Sequence, residues 1–186
     1  MLCGKLGDGN FKKNGMYNYY YRESHAEDEK EYLEWKMNVL GDDIITSRGI
    51  YKIKKGGWNV QDQYGFSTRT SNTFAEYNNM RIHDVILKLD YRGLIMFMLD
   101  DGWISGHSKN KHFVISGGNL SMENIEILCY QFKKYNINDV HIIGNKRLDL
   151  SIPKENNFKL YEMASSFIPT DIDIFKKKLY KIKDAI

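Results

Sequence analysis

Two aspartates, each followed by a glycine, are the side chains of this sequence best suited to metal-assisted chemistry. Asp8 lies near the end of the apolar and small-residue run at residues 1–9, and Asp101 lies near the end of a similar run at residues 93–102. Asp101 follows Asp8 by 93 positions in a chain of 186 residues, and this half-length spacing is typical of a duplicated unit. One carboxylate from each copy can then meet on a pseudo-two-fold axis, where the pair would share divalent metal ions.

A bound cation would relieve the electrostatic strain that this pattern creates. The carboxyl end of a helix already carries partial negative charge, so a carboxylate there is disfavoured, and two converging carboxylates repel each other further. Mg²⁺ suits such a site because it prefers hard oxygen ligands and retains several waters. A single Asp-Gly pair is more often an ordinary turn at the end of a helix. The repetition at half-chain spacing is what favours a metal site.

A β-hairpin is predicted after each Asp-Gly pair. Asn14-Gly15, between residues that favour strands, is a strong signal for a tight hairpin turn. After the second pair, residues 102–116 again read as strand, polar turn and strand. The two halves therefore begin with the same arrangement of elements.

Helices and a second pair of strands complete each half. A helix is predicted at residues 27–40, with Ser24 as its cap, and another at residues 122–135, opened by Ser121. The other predicted elements are strands at 50–54, 63–70, 140–143 and 158–163, and closing helices at 73–88 and 171–185. Each half then has the order helix, strand, strand, helix, strand, strand, helix, which predicts an α+β protein.

Three segments resemble the LAGLIDADG homing endonucleases of the single-chain, two-motif type. Residues 94–102, which end in Leu-Asp-Asp-Gly, match the second motif helix of that family. Residues 116–121 resemble the bridge into its next helix, and residues 31–36, Glu-Tyr-Leu-Glu-Trp-Lys, resemble the helix after the first hairpin. The resemblance covers nearly the whole chain. It implies two pseudo-symmetric halves, residues 1–89 and 90–186, with saddle-shaped antiparallel sheets and two motif helices packed at the centre.

The resemblance also implies an activity and a site. It assigns catalysis and metal binding to Asp8 and Asp101, with the backbone carbonyls of Gly7 and Asp100 as further metal ligands. The implied reaction is Mg²⁺-dependent, site-specific cleavage of double-stranded DNA that leaves short 3′ overhangs. Two motifs in one chain imply an active monomer. The alternative is a nucleic-acid-binding protein of the same fold that does not cut, either an intron maturase that binds intron RNA or a DNA-binding regulator.

Basic and amide side chains on the predicted strands are the candidates for DNA contact. The net charge of +3, from 27 basic and 24 acidic residues, does not by itself indicate a nucleic-acid binder, so the distribution of charge matters more. Many acidic residues lie on predicted helices instead. The candidates are Lys12, Lys13, Asn18, Arg22, Lys52, Lys54, Arg69, Lys109, Lys111 and Lys159. The alternative is an ordinary solvated antiparallel sheet.

Alternation of side chains divides the aromatic segment of the first hairpin between two faces. The face expected to join the core holds the odd-numbered tyrosines, Tyr17, Tyr19 and Tyr21. The even-numbered positions, which include Asn18 and Arg22, face the other way. Asn18 and Arg22, together with Arg69 on the later predicted strand at 63–70, are candidate readers of base edges in the major groove.

The remaining features restrict the class of protein. Hydrophobic residues make up 42% of the chain, no apolar run approaches the roughly 18 residues that cross a membrane, and the start lacks a secretory pattern. We therefore expect no membrane partner and a cytoplasmic location, or an organellar or phage-encoded one. The two cysteines are expected to be buried, reduced thiols. A metal cluster or His-Asn-His nuclease built on His107, His112 and His141 is a weaker alternative, because no cysteine pair has zinc-site spacing.

Overall fold

A computed structural model of the chain describes residues 1–54, 56, 62–107, 110–118, 120–144 and 148–181. The chain divides into two units, Met1–Met80 and Arg81–Ile186. The boundary predicted from the motifs, between residues 89 and 90, differs from this division by one helix. That helix, Ile82–Lys88, packs against the second-unit helix Met122–Lys134.

The first unit is a four-stranded antiparallel sheet with helices on one face. Its elements are α1 (Leu2–Leu6), β1 (Gly9–Asn14), β2 (Asn18–Ala26), α2 (Lys30–Leu40), β3 (Tyr51–Ile53), β4 (Gln63–Ser67) and α3 (Thr73–Asn79). The strand order is β1-β2-β4-β3. Gly15 has a φ of +75° in the β1–β2 turn, a conformation that glycine adopts without steric penalty. The hairpin predicted from Asn14-Gly15 is thus confirmed.

Aromatic side chains fill the space between this sheet and its helices. Phe11 and Tyr21 lie opposite each other in the β1–β2 ladder, so their side chains point to the same face. They are buried there with Leu33 of α2 and Phe74 of α3. Of the tyrosines predicted to join the core, Tyr21 is buried and Tyr19 packs against the cluster, as expected. The expectation for Tyr17 is wrong, because this residue lies in the hairpin turn and is 73% exposed.

The second unit repeats the sheet and adds helices at both ends. Its elements are α4 (Ile82–Lys88), α5 (Tyr91–Asp101), β5 (Gly102–Ser105), β6 (His112–Ser116), α6 (Met122–Lys134), β7 (His141–Ile143), β8 (Asp149–Ile152), α7 (Asn157–Ser165) and a π-helix (Phe175–Tyr180). The strand order β5-β6-β8-β7 is the same as in the first unit. Ser121 accepts a hydrogen bond from the Asn124 amide, which confirms the predicted start of α6.

The strand predicted at residues 158–163 is wrong, since this segment lies within helix α7. Leu160, Met163 and Ala164 are buried, at the i, i+3, i+4 spacing of a helix that packs one face, whereas Phe158 is 56% exposed. The partner of β7 is instead β8, which precedes Pro153. Phe158, a β-prone residue, favoured the wrong assignment because propensity is a weak guide where packing decides.

Three other boundaries also differ from the prediction. Ser24 does not cap a helix, because β2 continues to Ala26 and a short 3-10 turn precedes α2. The helix predicted at 73–88 is broken into α3 and α4, since Met80 and Arg81 have extended backbone conformations. The helix predicted at 171–185 is described only as far as residue 181, and its regular part is the π-helix.

The break after α3 is held by a lysine from α1. Lys5 Nζ donates hydrogen bonds to the carbonyl oxygens of Tyr77, Asn78 and Met80, at 2.9, 2.6 and 2.6 Å. The last carbonyls of a helix lack donors within the helix, so an ammonium group satisfies them. Burial lowers the pKa of the Lys5 ammonium, because the charged form loses solvation.

Lys5→Met is expected to reduce the free energy of unfolding by about 1 kcal/mol, because three carbonyl groups lose a charged donor while water partly replaces it. Urea denaturation monitored by circular dichroism measures the change. Lys13→Met, on an exposed strand position, is the matched control and should have little effect. Equal stability of the two variants would show that Lys5 does not hold this helix end.

The predicted fold class, α+β with an antiparallel sheet in each half, is confirmed. Within the described residues, no helix is both long enough and apolar enough to span a bilayer. Cys3 is buried, as predicted, whereas Cys129 is only half-buried. Burial raises the pKa of the Cys129 thiol.

Candidate functional site

Asp8 lies at the junction between α1 and the first strand. Helix α1 ends at Leu6, and the Gly7 amide donates to the Cys3 carbonyl at 3.2 Å, which closes the last turn. Strand β1 then begins at Gly9, so the Asp8 carboxylate projects from the turn between them. This side chain is 42% exposed, and a carboxylate that must reach an external ligand needs such access.

Glycines make room for an aromatic ring beside this junction. A Cβ atom at Gly4 would lie 1.9 Å from the Tyr21 hydroxyl, and one at Gly9 would lie 2.1 Å from the same atom. Any side chain at either position would therefore displace the Tyr21 ring from the core. The Asp-Gly pairing at positions 8 and 9 thus has a packing reason in addition to any chemical one.

A buried histidine contacts Asp8 from strand β2. His25 Nδ1 lies 3.5 Å from Asp8 Oδ2 and 3.1 Å from Glu29 Oε2. The other ring nitrogen, Nε2, lies 2.8 Å from Glu23 Oε1. His25 is 3% exposed, so the packing around it fixes the orientation of the ring.

Glu23 holds the His25 ring in place through its contact with Nε2. It is 4% exposed, and it accepts hydrogen bonds from the Lys36 ammonium at 2.5 Å and from the Tyr21 hydroxyl. Burial alone would raise the pKa of the Glu23 carboxyl. The adjacent Lys36 charge and the contact with His25 outweigh this effect and hold the pKa well below its usual range. Glu23 is therefore ionised, and its oxygens act only as acceptors.

Asp101 is the last residue of α5, and the next residue opens β5. The helix begins with a capping bond from the Gly93 amide to Asp90 Oδ1, at 2.9 Å. Gly102 is required at the other end, since a Cβ atom there would lie 2.2 Å from the Met98 carbonyl oxygen. The Asp-Gly sequence therefore marks the same helix-to-strand junction in both units.

A lysine from the π-helix reaches the carboxyl end of α5. Lys178 Nζ donates a hydrogen bond to the Leu99 carbonyl oxygen, within the last turn of the helix. An ammonium group at this position offsets the negative end of the helix dipole beside Asp101. No sequence pattern indicated this contact, because Lys178 lies in a run of three lysines with the composition of a solvated helix face.

The two units differ in the strand residues that face the junction. Gly9 lies opposite Glu23 in the β1–β2 ladder, whereas Gly102 lies opposite Ile115 in the β5–β6 ladder. Ile115 is fully buried. A buried charged residue in the first unit is thus replaced by an apolar one in the second.

The position equivalent to His25 carries no side chain in the second unit. It is Gly117, two residues beyond Ile115 on the same chain segment. A Cβ atom at Gly117 would lie 1.9 Å from the Leu148 carbonyl oxygen, so the backbone leaves no space for a side chain. The charged network behind Asp8 is therefore specific to the first unit.

The oxygen atoms at each junction are suitable ligands for a hard divalent cation. Each junction has one carboxylate, Asp8 or Asp101, next to the carboxyl end of a helix, where backbone carbonyls lack helical donors. Gly7 and Asp100, the predicted carbonyl ligands, lie directly before these carboxylates. Carboxylate and carbonyl oxygens are the ligands that Mg²⁺ and Ca²⁺ prefer.

The face of the first sheet opposite its core carries several of the predicted DNA-contacting side chains. We call it the outer face of the first sheet. The β1–β2 register places Lys12 opposite Tyr20, and Asn18 and Arg22 alternate with the buried Tyr21. Lys12, Asn18 and Arg22 are exposed there. The even-numbered residues of β2 therefore lie on the face predicted for them.

Other predicted contact residues lie elsewhere. Lys13 lies opposite Tyr19 and Lys52 opposite Tyr64, so both point to the face that the helices cover. Lys52 also forms an ion pair with Asp62 at 2.8 Å. The expectation that all the basic strand residues share one face is wrong for these two lysines.

The remaining predicted contact residues are outside the strands. Arg69 follows β4, is exposed and donates from Nε to the Ile45 carbonyl at 3.1 Å. Lys54 follows β3 and is exposed, and Lys111 precedes β6 and is half-buried. Lys159 lies on α7 and not on a strand, which corrects its assignment to the sheet. Lys109 lies outside the described residues.

The outer face of the second sheet has a different composition. Its side chains alternate with the buried Phe113 and Ile115, and among the described strand residues none is Lys or Arg. The residues on this face are Trp103, Ser105, His112, Val114, Ser116, His141, Ile143, Asp149 and Ser151. This face offers aromatic, imidazole and hydroxyl groups in place of the lysine and arginine of the first sheet.

Glu23, His25 and Lys36 are the site residues that the sequence did not single out. Alternation along β2 could have identified two of them, because residues 21, 23 and 25 share one face. A carboxylate and an imidazole at consecutive core-facing positions are unusual, since buried ionisable groups require partners. Lys36 could not have been found in this way, because it lies on a helix 13 residues from its partner.

Comparison with known proteins agrees with the fold. The profile of the LAGLIDADG DNA endonuclease family matches residues 1–160. Among curated proteins, no relative matches the chain significantly.

Two solved structures show the same fold at low sequence identity. The homing endonuclease I-WcaI, bound to its DNA recognition sequence, is 23% identical with a TM-score of 0.73, over 96% of this chain and 83% of that one. A mesophilic variant of the homing endonuclease I-DmoI is 16% identical with a TM-score of 0.54, over 89% of this chain and 92% of that one. Because the family profile spans most of the sequence, the chain belongs to the LAGLIDADG DNA endonuclease family.

Proposed function

We propose that this protein is a site-specific endonuclease that binds double-stranded DNA as a monomer and cleaves both strands with the help of divalent metal ions. The observation that carries the proposal is the repeated helix-to-strand junction. Each unit places one aspartate, Asp8 or Asp101, at this junction, beside a sheet with the same strand order. A pure binding protein would need neither carboxylate.

Each aspartate would act as a metal ligand. The backbone carbonyls of Gly7 and Asp100 are further proposed ligands, since they lie at the ends of α1 and α5. Bound Mg²⁺ would supply an activated water and would stabilise the departing 3′ oxygen. Lys178 would hold the end of α5, so that Asp101 keeps its position when substrate binds.

The outer faces of the two sheets are the proposed DNA surfaces. A curved β ribbon can enter the major groove, where Arg and Asn read base edges through paired hydrogen bonds. Asn18 and Arg22 have the required exposure and face in the first unit. In the second unit, His112 and Ser151 are the corresponding polar groups.

The test is selection of cleaved molecules from a library of randomised duplexes. Wild-type protein should cut a restricted set of related, only roughly palindromic sites in the presence of Mg²⁺ and none in EDTA. Selection of bound but uncut duplexes would support a non-cleaving binder of the same fold instead. Cleavage without sequence preference would contradict the proposal as well.

Arg22→Ala is expected to weaken binding of the selected site by about 1–3 kcal/mol and to relax the base preference at one position. The guanidinium is exposed on the outer face, where it can reach a guanine edge. Fluorescence anisotropy with single-base substitutions in the site measures this. Affinity should also fall steeply with salt, because phosphate contacts release counterions.

Lys52→Ala is the control for this experiment, since Lys52 is a basic strand residue on the helix-covered face and is paired with Asp62. It should leave base preference unchanged. An unaltered preference in Arg22→Ala would remove Arg22 as a reader, and affinity that is independent of salt would reject the DNA surface altogether.

A further inference from the structure

We propose that the outer face of the second sheet recognises thymine, through contacts between exposed apolar side chains and the 5-methyl groups in the major groove. The side chains that make these contacts are Trp103 and Ile143. The first sheet, in contrast, reads its bases through hydrogen bonds. The inference rests on the proposed function, in which both outer faces bind DNA, and it names the sequence class that the second unit accepts.

The strand registers of the two units show which positions correspond. After the Asp-Gly junction, the first cross-strand pair on the outer face is Asn10 opposite Arg22 in the first unit. In the second unit it is Trp103 opposite Val114. Asn10 and Arg22 are exposed, and their amide and guanidinium groups can bind adenine and guanine edges through paired hydrogen bonds. Trp103 and Val114 cannot form such pairs, so the two units cannot read the same bases in the same way.

The strand at the far edge of each sheet shows the same replacement. By the same register, Tyr51 of β3 corresponds to Ile143 of β7. The Tyr51 hydroxyl lies 3.0 Å from Ser67 Oγ, and the Arg48 guanidinium lies 4.1 Å from the centre of the Tyr51 ring. Ile143 has no polar side-chain atom. A polar, cationic part of the first face is therefore apolar in the second.

The exposure of Trp103 and Ile143 allows them to reach a base edge. Trp103 is 42% exposed and Ile143 is 40% exposed, whereas Val114, on the strand next to Trp103, is only 2% exposed. Single exposed apolar residues are common on protein surfaces, so exposure alone identifies no partner. These two lie where the other unit carries groups that bind bases. The apolar group that a base edge presents in the major groove is the methyl group of thymine.

Cations for phosphate contact lie at one end of the second sheet and not on its face. Among the described strand residues of this face none is Lys or Arg, and its carboxylate, Asp149, accepts a hydrogen bond from the Gly117 amide at 3.2 Å. Lys111 precedes β6, and Lys154, which follows the antiparallel strand β8, donates to Asn110 Oδ1 at 3.1 Å. Both lysines are therefore at the same end of the sheet. Phosphate contacts position a protein on the duplex, and the face itself remains for the bases.

The experiment replaces each thymine of the duplex selected by binding, one at a time, with uracil, and measures affinity by fluorescence anisotropy in Ca²⁺. Uracil pairs as thymine does and lacks only the methyl group. For wild type, replacement at two or more positions should weaken binding about fourfold each, which is the effect of burying one methylene-sized group. Trp103→Ala should remove the response to uracil at one of these positions, and Ile143→Ala should remove it at another.

Three further variants serve as controls. Phe158→Ala removes an aromatic side chain that is 56% exposed on helix α7, and it should bind every duplex as wild type does. Arg22→Ala should weaken binding but keep the response to uracil, because Arg22 reads through hydrogen bonds. Trp103→Phe should also keep the response, since it retains an apolar ring. The side chains of Trp103 and Ile143 are exposed, so their truncation leaves the core intact.

Equal binding of thymine and uracil duplexes by wild type would overturn the inference, and so would a uracil response that Trp103→Ala and Ile143→Ala both retain. Self-association of the free protein that Trp103→Ala abolishes would also overturn it, because the face would then belong to a second copy of the chain. The proposed function is judged separately. Selection of no specific duplex would reject the DNA surfaces and this inference with them, whereas a uracil response without cleavage would reject only the endonuclease.

Discussion

Asp8→Asn and Asp101→Asn are each expected to reduce double-strand cleavage by more than about 100-fold while DNA affinity changes little. Asparagine keeps the size and one oxygen of the side chain but loses the charge that binds the metal. Residues that only support a metal ligand already alter metal affinity or activity by about 10–100-fold, so loss of a ligand should have a larger effect. Single-turnover cleavage of the selected duplex, with anisotropy in Ca²⁺ for affinity, separates the two quantities.

Asp42→Asn is the matched control, because Asp42 is an exposed aspartate in the same unit as Asp8. It should cleave at the wild-type rate. Full Mg²⁺-dependent cutting by both Asp8→Asn and Asp101→Asn would show that the carboxylates at the junctions only terminate helices. Loss of DNA binding in step with cleavage would point to misfolding and not to a catalytic role.

Lys36→Met is expected to reduce the free energy of unfolding by about 3 kcal/mol. Removal of one partner from a buried ion pair leaves the other charge without compensation, and such changes typically cost about 3–5 kcal/mol. The value expected here is at the low end, because His25 and Tyr21 still bond to Glu23. Urea denaturation at neutral pH measures it.

Lys30→Met tests whether the effect belongs to the buried pair. Lys30 is on the same helix and also pairs with a glutamate, Glu34, but both side chains of that pair are more than 40% exposed. Loss of this exposed pair should change the free energy of unfolding by a barely detectable amount. If the two variants are equally stable, the Glu23–Lys36 pair does not contribute to the fold as described.

The same pair predicts a dependence of stability on pH. The pKa of Glu23 is lowered in the folded protein, so its contribution is fully present above its ordinary pKa of 4.5 and is lost as the pH falls below that value. Wild type should therefore lose stability more steeply than Lys36→Met between pH 5 and about pH 3. Parallel curves for the two proteins over this range would contradict the assignment.

The sequence identified the repeat and most elements because the signals for these features are local. Asn14-Gly15 identifies its turn through glycine chemistry, and Ser121 identifies the start of α6 through a capping bond. The segment now seen as α7 was mistaken for a strand. Packing against the rest of its unit, and not the preference of Phe158, decides its conformation.

The candidate site was predictable only in part. Asp8 and Asp101 carry a pattern, repeated at half-chain spacing, that is visible in the residues themselves. Alternation along β2 places Glu23 and His25 on the core-facing side, but their link to Lys36 depends on a contact between a strand and a helix, which no local pattern encodes. The face of each basic residue also depends on register, and for this reason Lys12 and Lys52 lie on opposite faces although both are on strands.

Strand-resolved mapping of the products at the selected duplex tests the central claim most directly. Wild-type protein in Mg²⁺ should cut both strands at one fixed position each and leave 3′-hydroxyl and 5′-phosphate ends with a short 3′ overhang. The same reaction in EDTA should leave the duplex intact. Tight, sequence-specific binding with no cut on either strand, in Mg²⁺ or in Mn²⁺, would contradict the account and identify the protein as a binder that does not cleave.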